Sequence, residues 1–138
     1  MATQVLTNAM VLINAVDLSN HVKQVELSQS VDMQDVTAMG GDTKITKPGL
    51  KDWSLKVTFH QDYAVGPNSV DATISPLIAA APFAIEVRPV NAARSTSNPA
   101  WTGQGSISSY NPVAGGVGEE QLAAVTIEAA GSLTRLTS

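Results

Sequence analysis

Two histidines are the residues of this sequence best suited to acid–base chemistry. His21 lies in the polar stretch DLSNH, and His60 ends the stretch DWSLKVTFH, directly before Gln61 and Asp62. Nucleophilic catalysis requires a base beside a nucleophile, and a histidine, serine and aspartate set can be drawn from these stretches on paper. The G-x-S-x-G pattern of a nucleophile elbow is absent from the sequence. We therefore predict that the chain is not an enzyme, and a hydrolase that depends on His60 is kept as an alternative.

The acidic and glycine-rich stretches do not have the spacing of metal or phosphate sites. Asp32, Asp35 and Asp42 are too far apart for an EF-hand loop and lack its closing glutamate. The stretch GGDTK lacks the spacing of a Walker motif, and neither GQG (103–105) nor GGVG (115–118) precedes a predicted helix. The chain contains no cysteine, which excludes disulfides and thiolate sites. We predict no metal, no cofactor and no small-molecule ligand.

The composition limits the classes of protein to which the chain can belong. Its 138 residues suit one domain over residues 1–138, of which 43% are hydrophobic and only 14% charged. With a net charge of −4 and no basic run, binding through phosphate neutralisation is not expected. Residues 1–20 show neither a signal peptide nor a membrane span. The sparse charge fits a surface that packs against other copies, and equally a neutral monomer surface.

Alternating apolar and polar residues predict the first strands. The run AMVLINAV, residues 9–16, suits one short buried strand. The stretch HVKQVELSQSVDM, residues 21–33, predicts a half-buried strand. Its inward residues are Val25, Leu27, Val31 and Met33. The clearest alternation is DWSLKVTFH, residues 52–60. Its inward residues are Trp53, Leu55, Val57 and Phe59.

A long polar loop, about 34–52, separates the second and third of these strands. Gly40-Gly41-Asp42 and Pro48-Gly49 are turn-forming sequences. The stretch TKITK between them alternates without an apolar core. The loop is therefore predicted to be either a small hairpin or an extended arm.

The second half of the chain predicts one helix and three further strands. Val70, Ile74, Leu77 and Ile78 have helical spacing, with Ser69 or Asp71 available as a cap and Pro76 dividing the helix into short pieces. The strand FAIEVRPV turns Glu86 and Arg88 outward and ends at Pro89. In WTGQGSISSYNPV, Gly103 and Gly105 suggest a bulge or a close approach of backbone. The stretch LAAVTIEAAG is the last predicted strand, followed by a short tail. The fold class is mainly β, a sandwich or barrel with one short helix packed outside.

The segment DVTAMGGDTKITKPGLKDWSLKVTF, residues 35–59, resembles a stretch of the tail tube proteins of long-tailed bacteriophages. The shared pattern is an acidic residue with Val-Thr, then Gly-Asp-Thr, a basic run, Pro-Gly-Leu-x-Asp and an alternating strand. It is formed here by Asp35, Val36, Thr37, Ala38, Met39, Gly40, Gly41, Asp42, Thr43, Pro48, Gly49, Leu50 and Asp52. The later stretch GQGSISSYNPVAGGVGEEQLAAVTIEAAGSLT, residues 103–134, is similar to the closing strands of that family. The resemblance covers roughly residues 15–136.

This resemblance implies a structural virion protein of the tail-tube type. Tail tube proteins form hexameric rings that stack around a lumen, with strands of each subunit in a continuous inner barrel and the helix outside. Viral DNA passes through the lumen without specific binding, and the loop before the central strand reaches an adjacent subunit or ring. The implied partners are further copies of the chain and other virion proteins. The implied location is the virion tail, after synthesis in the bacterial cytoplasm. The predicted interface residues are Met39, Gly40, Gly41, Asp42, Lys44, Lys47, Pro48 and Lys51.

Other functions remain open at this level. The same fold occurs in tail terminators, baseplate hubs and some capsid decoration proteins, so fold alone does not distinguish these virion parts. A monomeric immunoglobulin-like binding module would instead be a stable monomer with a compact loop 34–52. For Lys44, Lys47 and Lys51 the hypothesis is docking on acidic groups of a neighbour, and the alternative is a solvated hairpin.

Overall fold

Antiparallel strand pairing organises nearly all of the chain that the computed structural model describes, residues 9–64, 69–80 and 82–137. Eight strands form one sheet, in the spatial order β2-β1-β5-β6-β7-β4-β3, with β8 beside β6. The strands are β1 (Met10–Ile13), β2 (Val16–Asp17), β3 (Val22–Asp35), β4 (Thr46–His60), β5 (Phe83–Arg88), β6 (Ala100–Asn111), β7 (Leu122–Ala129) and β8 (Thr134–Leu136). Of the N-terminal stretch predicted to be neither signal peptide nor membrane span, the first eight residues lie outside this description. In the described ranges, no helix is long and apolar enough to cross a membrane.

Alternate residues of the strands point into one apolar core, and this confirms the mainly β fold with one short helix. The predicted inward residues of β4 are all buried, and alternate residues of β1, β5 and β7 join them in the core. Members of the core include Val11, Ile13, Trp53, Leu55, Val57, Phe59, Phe83, Ile85, Val87, Ala123, Val125 and Ile127. Since both ends of the strand order contribute to the same core, the sheet curls around it.

The helix is short, as the proline required. Helix α1 spans Val70–Ile74, and a 3-10 turn, Ser75–Leu77, accommodates Pro76 in its first turn. Val70, Ile74 and Leu77 are buried in the core, whereas Ile78 lies beyond the turn and is exposed. The apolar side of this element therefore seals the core, and its remaining side faces outward.

The apolar run 9–16 is not one strand, and that prediction was wrong. Asn14 and Ala15 have positive φ angles of 52° and 65° and form a two-residue turn, across which Ile13 pairs with Val16. Asparagine tolerates this left-handed conformation, as hairpin turns require. The turn was concealed because Ala15 and Val16 continue the apolar run.

Two further differences come from contacts that the alternation of residues within a strand does not reveal. The tail predicted after β7 contains strand β8, which pairs with the start of β6. Glu86 faces away from the core as predicted, yet it is only 8% exposed because the loop after β5 covers it. Its carboxylate accepts hydrogen bonds from Arg88 and Arg94. Burial alone would raise the pKa of Glu86, but these two arginines outweigh it and hold the pKa below its ordinary value.

Gly103 and Gly105 mark a close approach of backbone, as one of the two predictions for them stated. A Cβ at Gly105 would lie 2.4 Å from Ile127 Cγ2 and 3.2 Å from Trp53. The Trp53 indole crosses both glycines, and its Nε1 donates a hydrogen bond of 2.8 Å to the carbonyl oxygen of Gly131. The glycines therefore create the space that the largest side chain of the core occupies.

Candidate self-association site

Strands β3 and β4 extend beyond the rest of the sheet as a two-stranded ribbon. The pairing of β4 with β7 begins at Ser54, whereas its pairing with β3 continues to Thr46 opposite Asp35. We call residues 30–52, which lie beyond the last β4–β7 pair, the arm. The seven residues from Thr46 to Asp52 alone extend about 23 Å at the rise of a β-strand. The arm therefore projects well beyond the sheet.

The arm corrects the predicted loop over residues 34–52. Only residues 36–45 lie outside the two strands, so the loop is shorter than predicted, and the segment combines the two alternatives as an extended arm built from a hairpin. Pro48 and Gly49 form no turn but belong to β4, where β4 has one residue more than β3 between the pairs Val31–Lys51 and Met33–Pro48. A proline is tolerated there because, among the described strands, only β3 pairs with this part of β4.

Specific hydrogen bonds close the tip of the arm. The Val36 amide donates to the Ile45 carbonyl oxygen at 2.9 Å, and the Ile45 amide donates to Thr37 Oγ1 at 2.6 Å. Asp35 accepts a hydrogen bond of 2.9 Å from the Thr37 amide, which holds the pKa of the Asp35 carboxyl below its ordinary value. Gly40, with a φ angle of +92°, supplies the left-handed residue of the outermost turn. The tip is thus a defined loop with a closed neck.

Every residue from Ser28 to Asp52 is exposed. The arm nevertheless carries six large apolar side chains: Val31, Met33, Val36, Met39, Ile45 and Leu50. Met39 at the tip is 104% exposed, which means that it contacts almost nothing. A two-stranded ribbon without an apolar support is marginal in water, and concentrated exposed apolar groups mark interaction sites. The arm has the properties of a segment that is completed by a partner.

All of the predicted interface residues lie on the arm. Met39, Gly40, Gly41, Asp42 and Lys44 belong to the tip, and each is exposed. Lys47, Pro48 and Lys51 belong to the β4 side of the ribbon. The sequence therefore located these residues together, although it placed the last three in a loop rather than in a strand.

The root of the arm is fixed to the body of the molecule. A cleft of about 510 Å³ separates it from the turn after β7. The cleft is lined by Gln29, Ser30, Val31, Lys51, Asp52, Trp53, Gly131, Ser132 and Leu133. Trp53 follows directly after the arm, and the hydrogen bond from its indole to the Gly131 carbonyl oxygen connects the two sides of this cleft. Sequence reasoning missed Gly131 and the neck residue Thr37, although Asp-x-Thr before a glycine turn is itself a signal for a side-chain-capped turn.

Both histidines lie beside carboxylates in the described part of the chain. His60 pairs with the carboxylate of Glu120, and His21 lies 3.7 Å from that of Asp62. Neither imidazole is within hydrogen-bond distance of a serine or threonine hydroxyl in the described ranges. Both histidines are partly exposed, at the same end of the sheet as the helix.

The remaining glycine and acidic motifs have structural explanations. Gly115 and Gly118 have positive φ angles, so the GGVG stretch is turn structure. Within residues 9–64, 69–80 and 82–137, no group of three acidic or imidazole side chains is placed to hold a metal ion.

The chain shares its fold with solved structures of tail and injection-system particles. One match is a chain from the virion of a native gene transfer agent particle, with 14% identity, a TM-score of 0.75, and coverage of 96% of this chain and 98% of that one. Another comes from the PVC sheath/tube terminator of an extracellular contractile injection system in the extended state, at 11% identity, TM-score 0.73, and coverage of 98% and 97%. The chain has a tail-tube fold.

A third match supports the same fold. It comes from the tail of an empty gene transfer agent particle with C6 symmetry, at 15% identity, TM-score 0.66, and coverage of 86% and 83%. No protein-family model matches the sequence, and no curated protein matches it. The fold expected from the resemblance of residues 35–59 is therefore confirmed by three-dimensional structure alone.

Proposed function

We propose that the chain is a structural subunit of a phage-like tail tube, which forms rings that stack around a lumen. The observation that carries this proposal is the match over 96% of the chain to a component of a gene transfer agent virion. The C6 symmetry of the tail in another match favours rings of six copies. The partners are then other copies of the chain and other virion proteins. The site of action is the virion tail, after synthesis in the bacterial cytoplasm.

Open strand edges supply a way to close such a ring. Strand β3 is the last in the strand order, so one side of its 14 residues pairs with no described strand. Strands β3, β4, β7 and β6 are neighbours in the sheet, and β6 lies at the other side of this group from β3. The next strand, β5, pairs with β6 only as far as Gly105. Residues 106–111 of β6 therefore offer a second open edge. Pairing residues 106–111 of β6 in one copy with part of β3 in the next would cover the β6 edge and part of the β3 edge, and so limit uncontrolled association.

The outward face of these four strands is suited to line a lumen. It is polar and rich in hydroxyl groups, with residues Gln24, Glu26, Ser28, Ser54, Lys56, Thr58, Thr126, Glu128, Ser106 and Ser109. Six copies of four strands, spaced at about 4.8 Å, would form a wall about 115 Å in circumference before strand tilt is included. Six copies at −4 each would also make the ring strongly acidic. The named face itself carries Glu26 and Glu128 against Lys56, which leaves it weakly acidic. A wall without excess basic charge does not hold phosphate, so DNA passes without specific binding.

The arm is the element that reaches a neighbouring copy in this proposal. Its exposed apolar side chains would become buried there, while Lys44, Lys47 and Lys51 pair with acidic groups. Met39, Gly40, Gly41, Asp42 and Pro48 shape the docking surface. The function is mechanical and requires no enzymatic activity, cofactor or small-molecule ligand.

A tube terminator is the second candidate function. The match to a sheath/tube terminator covers 98% of the chain and 97% of its counterpart, at nearly the same TM-score as the first match. A terminator would close the end of a tube as a single ring, whereas a tube subunit would polymerise.

Electron microscopy and light scattering of the purified chain test both functions. A tube subunit gives stacked rings whose length grows with protein concentration, and a terminator gives single rings of constant mass. Binding to assembled heads but not tails would identify a decoration protein. A chain that stays strictly monomeric at high concentration and does not join tails would contradict the proposal and favour a binding module.

A further inference from the structure

The polar outward face of strands β3, β4, β7 and β6 is organised in rows, because side chains that pair across antiparallel strands point to the same side of the sheet. One row contains Glu26, Lys56, Thr126 and Ser109. The next row toward the arm contains Ser28, Ser54, Glu128 and Ser106. The charge in these two rows therefore comes from one lysine and two glutamates.

Lys56 is the basic residue of these rows, and it has an acidic residue on each neighbouring strand. Glu26 lies directly opposite it on β3, which places the two Cβ atoms about 5 Å apart. Glu128 lies diagonally from it on β7, since Glu128 pairs with Ser54 and Lys56 pairs with Thr126. Diagonal Cβ atoms of this kind are about 7–8 Å apart. All three charged side chains are exposed, so both carboxylates are within reach of the flexible lysine side chain.

The Lys56 ammonium group is compensated by this proximity and not by a fixed contact. Within the described part of the chain, the direct ion pairs all involve histidine or arginine. In stacked rings, each copy would contribute one Lys56 to the wall, and the cation would recur around the lumen and along it. Repeated lysines that neutralise phosphates are the source of non-specific affinity for DNA. A wall that lets DNA pass therefore requires a carboxylate close to this lysine.

We propose that Glu26, assisted by Glu128, masks Lys56 and so prevents the wall of the tube from holding DNA. This inference rests on the proposed function and assigns the release of DNA to two named carboxylates. A phosphate must displace these carboxylates before it binds the ammonium group. Glu26 contributes more, because the attraction between charges weakens with distance. Acidic residues elsewhere in the molecule do not replace this pairing, since salt screens exposed charges separated by more than about 8 Å.

Removing the two carboxylates tests the masking of Lys56. The variant Glu26→Gln/Glu128→Gln keeps both side chains polar and similar in size. Tubes are assembled with a short fluorescent DNA duplex and pelleted, and nuclease removes the DNA outside the lumen. We expect the variant to retain protected duplex with an affinity about tenfold above that of the wild type, and this retention should fall steeply with added salt. Glu26→Gln alone should give most of the gain, and Glu128→Gln alone a smaller part.

Three controls assign the gain in affinity to Lys56. Adding Lys56→Gln to the double variant should return the affinity to the wild-type value. Adding Lys23→Gln instead, at the bulge of β3 beside Gln24, should leave the gain unchanged. The variant Asp42→Asn/Glu119→Gln removes the same amount of charge from exposed residues outside the two rows, and it should release DNA as the wild type does. Each variant is compared at a concentration at which it is fully assembled.

Each outcome of this experiment decides the inference. Retention of DNA that appears in the double variant and disappears with Lys56→Gln supports it. If the double variant binds the duplex no more tightly than the wild type, or if retention persists without Lys56, the inference is wrong and the tail-tube function stands. Where the double variant does not assemble, the single variants decide in the same way. If the wild type forms neither rings nor tubes, the proposed function fails, and this inference fails with it.

Discussion

Replacing the tip of the arm should abolish stacking and leave the subunit folded. The proposed variant replaces residues 36–45 with Asn-Gly, so that a two-residue turn connects Asp35 to Thr46. These two residues are a cross-strand pair, and a two-residue Asn-Gly turn is a favoured connection for such a pair. The ribbon below the tip therefore keeps its register. The change removes Met39, Lys44 and Ile45, which are all exposed.

The effect on the stability of the subunit should be small, since two contributions of similar size oppose each other. Shortening the loop about fivefold lowers its closure entropy and stabilises the fold by about 1.4 kcal/mol. The exposed hydrogen bonds between Thr37 and Ile45 are lost, at a cost of about 1 kcal/mol. The net change shifts Tm by no more than about 5 °C.

The effect on assembly should be much larger. Burying Met39 against a neighbour contributes about 1.5–3 kcal/mol, and the Lys44 ion pair adds about 0.2–1 kcal/mol. A loss of about 2 kcal/mol per contact raises the critical concentration about thirtyfold. Light scattering against concentration measures this value, and calorimetry measures Tm on the same samples. If the variant assembled at the same critical concentration as the wild type, the tip would not contribute to assembly. If its Tm fell far more than this, the tip would be needed for the stability of the core.

Three further predictions concern the subunit itself. Gly105→Ala should lower the free energy of unfolding in urea by about 1–3 kcal/mol, because its Cβ would collide with Ile127 Cγ2; Gly131→Ala, whose nearest neighbour would be at 3.6 Å, serves as the control. Thr37→Val should open the neck of the arm and speed hydrogen exchange of the Ile45 amide by about fivefold. Glu86 should make stability fall in acid: its depressed pKa stabilises the fold above its ordinary value of 4.5, and this contribution is lost as pH falls through the lower folded pKa.

The results that contradict these predictions are equally definite. Equal unfolding free energies for the two glycine variants would mean that the sheet moves to accept the extra carbon at no cost. Unchanged exchange at Ile45 would show that Thr37 does not close the neck, and Thr37→Ser should in any case behave as the wild type. If Glu86→Gln retained the full loss of stability below pH 4.5, the arginine pairs would not be its source.

Much of the fold was predictable because its signals are local. The alternation of Trp53, Leu55, Val57 and Phe59 predicted a strand with one buried face, and the structure buries all four. Pro76 predicted a divided helix because its ring prevents a continuous one. The hairpin at Asn14 was missed since a left-handed turn leaves little trace within an apolar run.

Burial of the second strand shows where local signals fail. Val25, Leu27, Val31 and Met33 have identical alternation, and all were predicted to point inward. The first two pack against the core, whereas Val31 and Met33 are exposed. The difference arises because β7 pairs with β4 only from Ser54 onward, whereas β3 continues along β4 beyond that point. Val31 and Met33 therefore lie where the sheet has only two strands, and the alternation of residues within β3 does not reveal this.

By itself, the sequence determined the class of fold, the grouping of the predicted interface residues in one segment between two strands, and the lack of a nucleophile-elbow motif. These follow from side-chain chemistry and from residue spacing over a few positions. Only the tertiary structure decided that the hairpin stands free of the body and that Trp53 requires the space above two glycines. These features depend on the pairing of strands far apart in the chain, and that pairing is set by the packing of the whole core.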